Sequence, residues 1–234
     1  MRVFRPLAAL FLTLVILAIA GFAFIFHPKT PLPDVWNPST PLDPRARITP
    51  LTRWKLRQTT RDPAACYAAL GLGGAEFRRE EDKVESDICG IPNRVIVTRL
   101  STAQMAPLDT RCGTALRLLM WERHSLQPYA KSLLGEGVRR IGHFGSYSCR
   151  TIAGSSRMSQ HATANAIDVA GFRLTDDTLI TLQRHWKSSG TQAEFLRKVG
   201  RGACDWFALV LGPDYNAAHA DHFHFDQGFW SRCR

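Results

Sequence analysis

Two short segments concentrate the side chains best suited to hold a metal ion. The first runs Ser159-Gln160-His161-Ala162-Thr163-Ala164-Asn165-Ala166-Ile167-Asp168, and the second His219-Ala220-Asp221-His222-Phe223-His224-Phe225-Asp226. In the first, small residues separate His161 from Asp168 and an apolar stretch follows. A loop entering a strand can then bring both side chains to one point. In the second, His222 and His224 lie two apart, and a strand aims residues i and i+2 at one face. Two imidazoles and one carboxylate give zinc three ligands and leave a fourth position for water, the pattern of catalytic rather than structural zinc. Each pair alone reads first as hydrogen-bonded surface or core groups. Only the two segments together point to a metal.

The elements that must carry these segments are legible in outline. Asp62-Pro63 is a helix start, Asp as N-cap and Pro at N1, with Gly71 as the stop. Leu116, Leu119, Met120 and Arg123 keep helical spacing, which predicts helices over 111–124 and about 126–134, ended by the Gly135-Glu136-Gly137 turn. Strands are expected at Arg94–Thr98, Val138–Ile141, Ser146–Arg150, Ala166–Phe172, Phe207–Leu211 and His222–Asp226. Thr175 is placed to cap a helix from Asp176 to about Lys187, and Thr191 with Glu194 to form a capping box for another. Strands and helices mix without strict βαβ alternation, so the expected class is α+β, a small mixed or antiparallel sheet with flanking helices. Trp206 and Trp230 read as core, and His124, His143 and His185 as surface residues without a role. His219, five residues before His224, is a candidate for the border of the pocket, with a surface loop histidine as the alternative.

The first thirty residues set the compartment. No charge occurs from Pro6 to Phe26, and such a helix, at about 1.5 Å per residue, spans roughly the 30 Å of a bilayer's hydrocarbon core. Arg2 and Arg5 precede it, which orients the remainder away from the cytoplasm. A cleaved signal peptide is the alternative, since Ala18-Ile19-Ala20 imitates a cleavage site; the apolar run continues past it through Phe22, Phe24 and Phe26, as an anchor would. Seven of the 13 prolines then fall between His27 and Pro50, a composition that suits an extended spacer of about 70 Å. An ordered strap over 45–58 is the other possibility. The resulting organisation is an anchor at 1–27, a linker at 28–58 and a folded domain at 59–234.

Six cysteines, Cys66, Cys89, Cys112, Cys149, Cys204 and Cys233, lie beyond the apolar run with no C-x-x-C pair. An even, scattered set in an exported domain reads as three disulfides, with the pairing left open and Cys233 tying down the C-terminus. The net charge of +10 on 234 residues suits an anionic partner. The basic residues are dispersed and no aromatic–basic module is visible, which argues against nucleic acid. Oligomeric state is not legible.

On these residues the chain resembles known families. Ser159-x-His161-(x)6-Asp168 with a later Asp221-x-x-His224 resembles the zinc peptidases related to D-Ala-D-Ala carboxypeptidases, lysostaphin and hedgehog, whose first motif runs S-x-H-x-x-G-x-A-x-D. More closely, CGI at 89–91, SYSCR at 146–150, SQHATANAIDVAGF at 159–172 and HADHFHFD at 219–226 resemble the extensin-like C-terminal domain family of bacterial proteins. The resemblance implies Zn2+ on His161, Asp168 and His224. It implies Asp221 as general base and Arg150 as the cation that steadies a substrate carboxylate or oxyanion. On a regular strand Asp221 points away from His224, so His222 is the alternative base, as in lysostaphin-like relatives. Ala164 stands where the wider group has glycine. The implied function is a zinc peptidase cleaving peptidoglycan stem peptides or cross-links, held by its helix in the bacterial inner membrane with the domain in the periplasm. A noncatalytic, zinc-stabilised wall- or protein-binding domain is the alternative.

Overall fold

The computed structural model describes residues 4–27, 30–229 and 231–233; Arg2 and Trp230 lie outside the described residues. Helix α1 (Phe4–Ile25) contains, from Pro6 to Ile25, a window long and apolar enough to cross a membrane, none of it buried against the rest of the chain.

The Pro-rich stretch folds back instead of extending over its C-terminal part. Leu42 and Asn37 are buried, and helix α2 (Pro50–Thr59) begins inside the stretch, with Pro50 at its N1 position. Lys55 Nζ donates to the Asp34 carbonyl at 2.7 Å and to Thr40 Oγ1 at 2.8 Å, and Thr49 Oγ1 donates to the Val35 carbonyl at 2.9 Å. His124, expected on the surface, is half-buried: its Nε2 donates to the Pro44 carbonyl at 2.8 Å and its ring stacks on Trp206. A few well-placed apolar and hydrogen-bonding groups suffice to dock a segment whose prolines already restrict its backbone.

Eight strands run side by side in the order β1 (Glu76–Arg79), β4 (Arg94–Arg99), β5 (Gln104–Arg111), β6 (Val138–Gly145), β7 (Ala166–Leu174), β10 (Phe223–Asp226), β9 (Leu209–Leu211) and β11 (Arg232–Cys233), with β8 (Leu179–Thr181) on the end of β7. The β5–β6 and β9–β11 pairs are parallel and the others antiparallel. A separate hairpin joins β2 (Lys83–Ser86) to β3 (Cys89–Ile91). The architecture is thus α+β, as expected. Gly171 is required where β7 meets β8: a Cβ there would lie 2.5 Å from the Ile180 carbonyl oxygen.

Helix α3 (Pro63–Leu72) starts as its sequence predicts, Asp62 accepting from the Ala64 and Ala65 amides, and it runs past Gly71 to Leu72. Helices α4 (Cys112–Trp121) and α5 (Gln127–Leu134) are joined without a break by a π-helical turn at Glu122–Leu126, and Gly135, with φ of 74°, ends α5. Leu116, Leu119 and Trp121 of α4 pack with Val95, Val97, Ile167 and Phe225 of the sheet and with Phe195 and Leu196 of helix α7 (Thr191–Ala203) in one apolar core. Trp206 belongs to that core.

Three expected elements differ. Ser146–Arg150 is not a strand, because β6 ends at Gly145, whose φ of 111° breaks the pleat. No helix starts at Asp176: its carboxylate accepts from the Thr178 amide and hydroxyl, Asp177 is left-handed, and the chain enters β8 before the short α6 (Leu182–His185), capped by Thr181. Helix α7 forms, but Gly190 is its N-cap and Thr191 its first residue, so the capping box is absent. The six cysteines pair as Cys66–Cys112, Cys89–Cys149 and Cys204–Cys233.

Candidate metal centre

Strand pairing places two of the three expected ligands. His224 on β10 lies directly across from Asp168 on β7, so both side chains emerge from one face of the sheet. Asp168 Oδ1 lies 2.9 Å from His224 Nδ1. The third comes from a 3-10 turn, Gln160–Thr163, capped by Ser159, whose side chain accepts from the His161 amide at 3.3 Å. The turn reverses at Ala164, which is left-handed (φ 49°), fully buried, and fixed through its carbonyl by the Thr114, Thr110 and Ser146 hydroxyls at 2.9, 3.3 and 3.3 Å. His161 Nε2 thereby reaches 3.2 Å from both His224 Nδ1 and Asp168 Oδ1. One ligand atom from each of His161, Asp168 and His224 lies within 4.8 Å of the others.

The outer ring nitrogens are occupied. His161 Nδ1 donates to the Ser146 carbonyl at 2.9 Å, which leaves Nε2 as the inward lone pair. His224 Nε2 lies 3.0 Å from Asp226 Oδ2, and Asp226, itself buried, accepts from the Gly228 amide. Sequence reasoning missed both partners. Asp226 had a signal, since it stands two residues after His224 on the same strand face; the Ser146 group is a backbone carbonyl and left none.

The local potential favours positive charge. Burial opposes ionisation of Asp168, yet hydrogen bonds to His161 and His224 hold its carboxyl well below the usual carboxylate range. Burial likewise lowers His224, and the flanking Asp168 and Asp226 outweigh it, raising the imidazole to about 9. Two imidazoles and a carboxylate with oriented outer nitrogens, in a pocket that stabilises a cation, fit zinc or a similar divalent transition metal.

The remaining expected residues line up outward from this cluster. His222 precedes β10, and its Nε2 stands 3.7 Å from Asp168 Oδ1 while its Nδ1 is 2.8 Å from Asp221 Oδ1. Asp221 is outside the cluster, its side chain 47% exposed, and among the described residues it meets the cluster through His222. Phe144 meets the His222 ring edge-on at 5.6 Å. His219 lies 5.2 Å from the His222 ring, and burial followed by repulsion from His224 and His222 pushes it down to about 4. Arg150 is exposed on the loop after β6; its charge is felt at His219, and its carbonyl accepts from the Ser159 amide at 3.0 Å.

The family described as "Extensin-like protein C-terminus" matches residues 64–234, from the first turn of α3 to the end of the chain. The chain belongs to this family. No curated protein and no solved structure matches it. All residues of the cluster fall inside the extensin-like C-terminal domain, as do the three disulfides, whereas the strap and α2 precede it.

Proposed function

We propose that the extensin-like domain is a zinc peptidase of the type related to D-Ala-D-Ala carboxypeptidases and lysostaphin, with His161, Asp168 and His224 as ligands. The observation that carries this is the convergence of these three side chains with both outer imidazole nitrogens already hydrogen-bonded. When bound, zinc supplies Lewis acidity at neutral pH, lowering the pKa of water to about 7.

The chain's own residues supply the proton handling. The Asp221 carboxylate accepts from His222 Nδ1, which fixes the tautomer and leaves Nε2 free to take a proton near Asp168 and pass it to a leaving amine. In this reading His222 is the base and Asp221 its positioning residue. Arg150, exposed and close enough for its charge to be felt at His219, would take a substrate carboxylate. The substrates are peptidoglycan stem peptides or cross-links on the periplasmic side of the inner membrane, where α1 holds the domain.

A second reading, a zinc-stabilised binding domain without turnover, is favoured by the exposure of Asp221 and its distance from the cluster. One experiment tests both. The full chain, zinc-loaded, is incubated with purified peptidoglycan beside Asp221→Ala and His222→Ala, and products and bound zinc are measured by mass spectrometry. New peptide fragments from the wild type alone, with zinc retained in both variants, establish the peptidase. No fragments from folded, zinc-loaded wild type favour the binding domain, and unchanged zinc in a His161→Ala/His224→Ala double variant removes the site itself.

A further inference from the structure

A second basic site lies apart from the His/Asp cluster. A cavity of about 150 Å³ opens between the start of α3, the β3–β4 turn and the N-terminus of α4, lined by Thr60, Asn93, Arg111, Arg117, Asn165 and Gln227 among others. Arg111 is half-buried, and among the described residues its guanidinium meets no carboxylate and no hydrogen-bond acceptor. Arg117 is 7% exposed; its Nη1 donates to the Trp206 carbonyl at 2.8 Å, and Nη2 lies 3.5 Å from Thr60 Oγ1.

The nearby acids are committed elsewhere. Arg94, the cross-strand neighbour of Arg111, binds Asp109 through both Nε and Nη2 at 2.8 Å, and Asp62 caps α3. Burial alone brings Arg111 down to about 10, and burial with repulsion from Arg111 and Arg57 does the same to Arg117. Buried charges are ordinarily paired. Two guanidiniums facing one cavity without a counter-charge mark a place where the counter-charge is a ligand. The start of α4 adds to this: the Cys112 amide is taken by the Asn93 carbonyl at 2.9 Å, but no side chain caps the helix, no acid lies in its first turn, and Gly113 lines the same cavity. The Cys66–Cys112 bridge fixes the flanking helices.

We propose that this cavity binds a phosphate-type dianion, as the free ion or as the terminal phosphoryl group of a larger ligand, with Arg111 as the principal contact and Arg117 beside it. Two guanidiniums and a helix N-terminus balance a dianion better than a single carboxylate.

The test uses the full chain, metal-free, in a maltoside detergent, titrated by calorimetry with inorganic phosphate, with glycerol 3-phosphate, and with acetate. Phosphate is expected to bind at one site, about tenfold or more tighter than acetate, and to raise the unfolding temperature with its concentration. Arg111→Gln should weaken phosphate about tenfold or more, yet unfold no lower than wild type without phosphate, since it removes an unpaired charge. His224→Ala should bind phosphate as wild type does. Glycerol 3-phosphate binding as tightly as phosphate assigns the site to a phosphoryl group on a larger ligand, and weaker binding assigns it to the free ion. Equal affinity for phosphate and acetate, phosphate binding unchanged in Arg111→Gln, or its loss in His224→Ala overturns the proposal.

Discussion

His224 is held between two carboxylates, one on each ring nitrogen, and the consequence is specific to its outer partner. Replacing Asp226 by Asn should weaken zinc binding about 10–100-fold, as loss of such outer hydrogen bonds does elsewhere. A chelator-competition titration measures it, and an unchanged affinity would mean that the outer nitrogen does not orient the ring. Asp221→Asn should lower turnover about 10²-fold or more while zinc content stays at wild type, and His222→Ala should cost at least as much. If Asp221→Asn proved the more damaging, Asp221 would be the base itself. Ala164 offers a third case. A left-handed alanine costs about 1–2 kcal/mol, and the buried methyl returns about 0.8 kcal/mol. Ala164→Gly should therefore leave the unfolding temperature unchanged or raise it, where glycine for alanine usually lowers it. At this scale the sequence was informative about side chains that share a strand face, and His161, Asp168 and His224 do converge. It was uninformative about the Ser146 carbonyl, because backbone acceptors carry no residue signature.

Among elements, the loop between β6 and the 3-10 turn carries Arg150 and the Ser146 carbonyl that holds His161, and little secondary structure holds it. The Cys89–Cys149 bridge ties it to the β2–β3 hairpin. Closing 60 residues is worth about 4 kcal/mol in the chain-entropy account. Cys89→Ser/Cys149→Ser should lower stability by about 2–5 kcal/mol in denaturant titration and should raise KM more than it lowers zinc affinity. An equal fall in zinc affinity would show that the loop also positions His161. Which elements were readable follows from where their signals sit. The Asp62-Pro63 start and the β7 and β10 strands carry local signals that tertiary context left intact. The expected Ser146–Arg150 strand and the helix after Asp176 failed because backbone conformation decided them, at Gly145 and at the Asp176–Thr178 turn. The expected break between α4 and α5 is a π-helical turn whose Glu122 is fully buried, accepting from Ser101, Thr102, Ala103 and Gln127. A single buried acid met by distant amides is not visible in helical spacing.

For the whole molecule, the strap is part of the fold. Removing residues 1–45 would take Leu42 out of the core and strand Lys55, whose ammonium burial already lowers its pKa. Fragment 46–234 should be less stable than 30–234 by about 3–5 kcal/mol, from one buried leucine and one unpartnered buried amine. Thermal unfolding of the two fragments checks this, and equal midpoints would mean that the strap contributes nothing. The expected alternative, an ordered strap over 45–58, holds at Thr49 and α2, but composition hid the docking of 34–44, because seven prolines read as extension while the few groups that dock it are individually unremarkable.

The same strap shortens the leash. Ser39 Oγ of the strap donates back to the Phe26 carbonyl at 3.4 Å and Lys55 of α2 holds the Asp34 carbonyl, so only residues 26–33 separate the end of α1 from a segment clamped to the domain. Eight residues at about 3.1 Å each reach roughly 25 Å, not the 70 Å of a free polyproline arm. With α1 in a bilayer, the domain would stay within about its own diameter of the lipid surface and could not sample the space farther out. Its encounter volume would be a thin shell, and material would have to pass through that shell to be met.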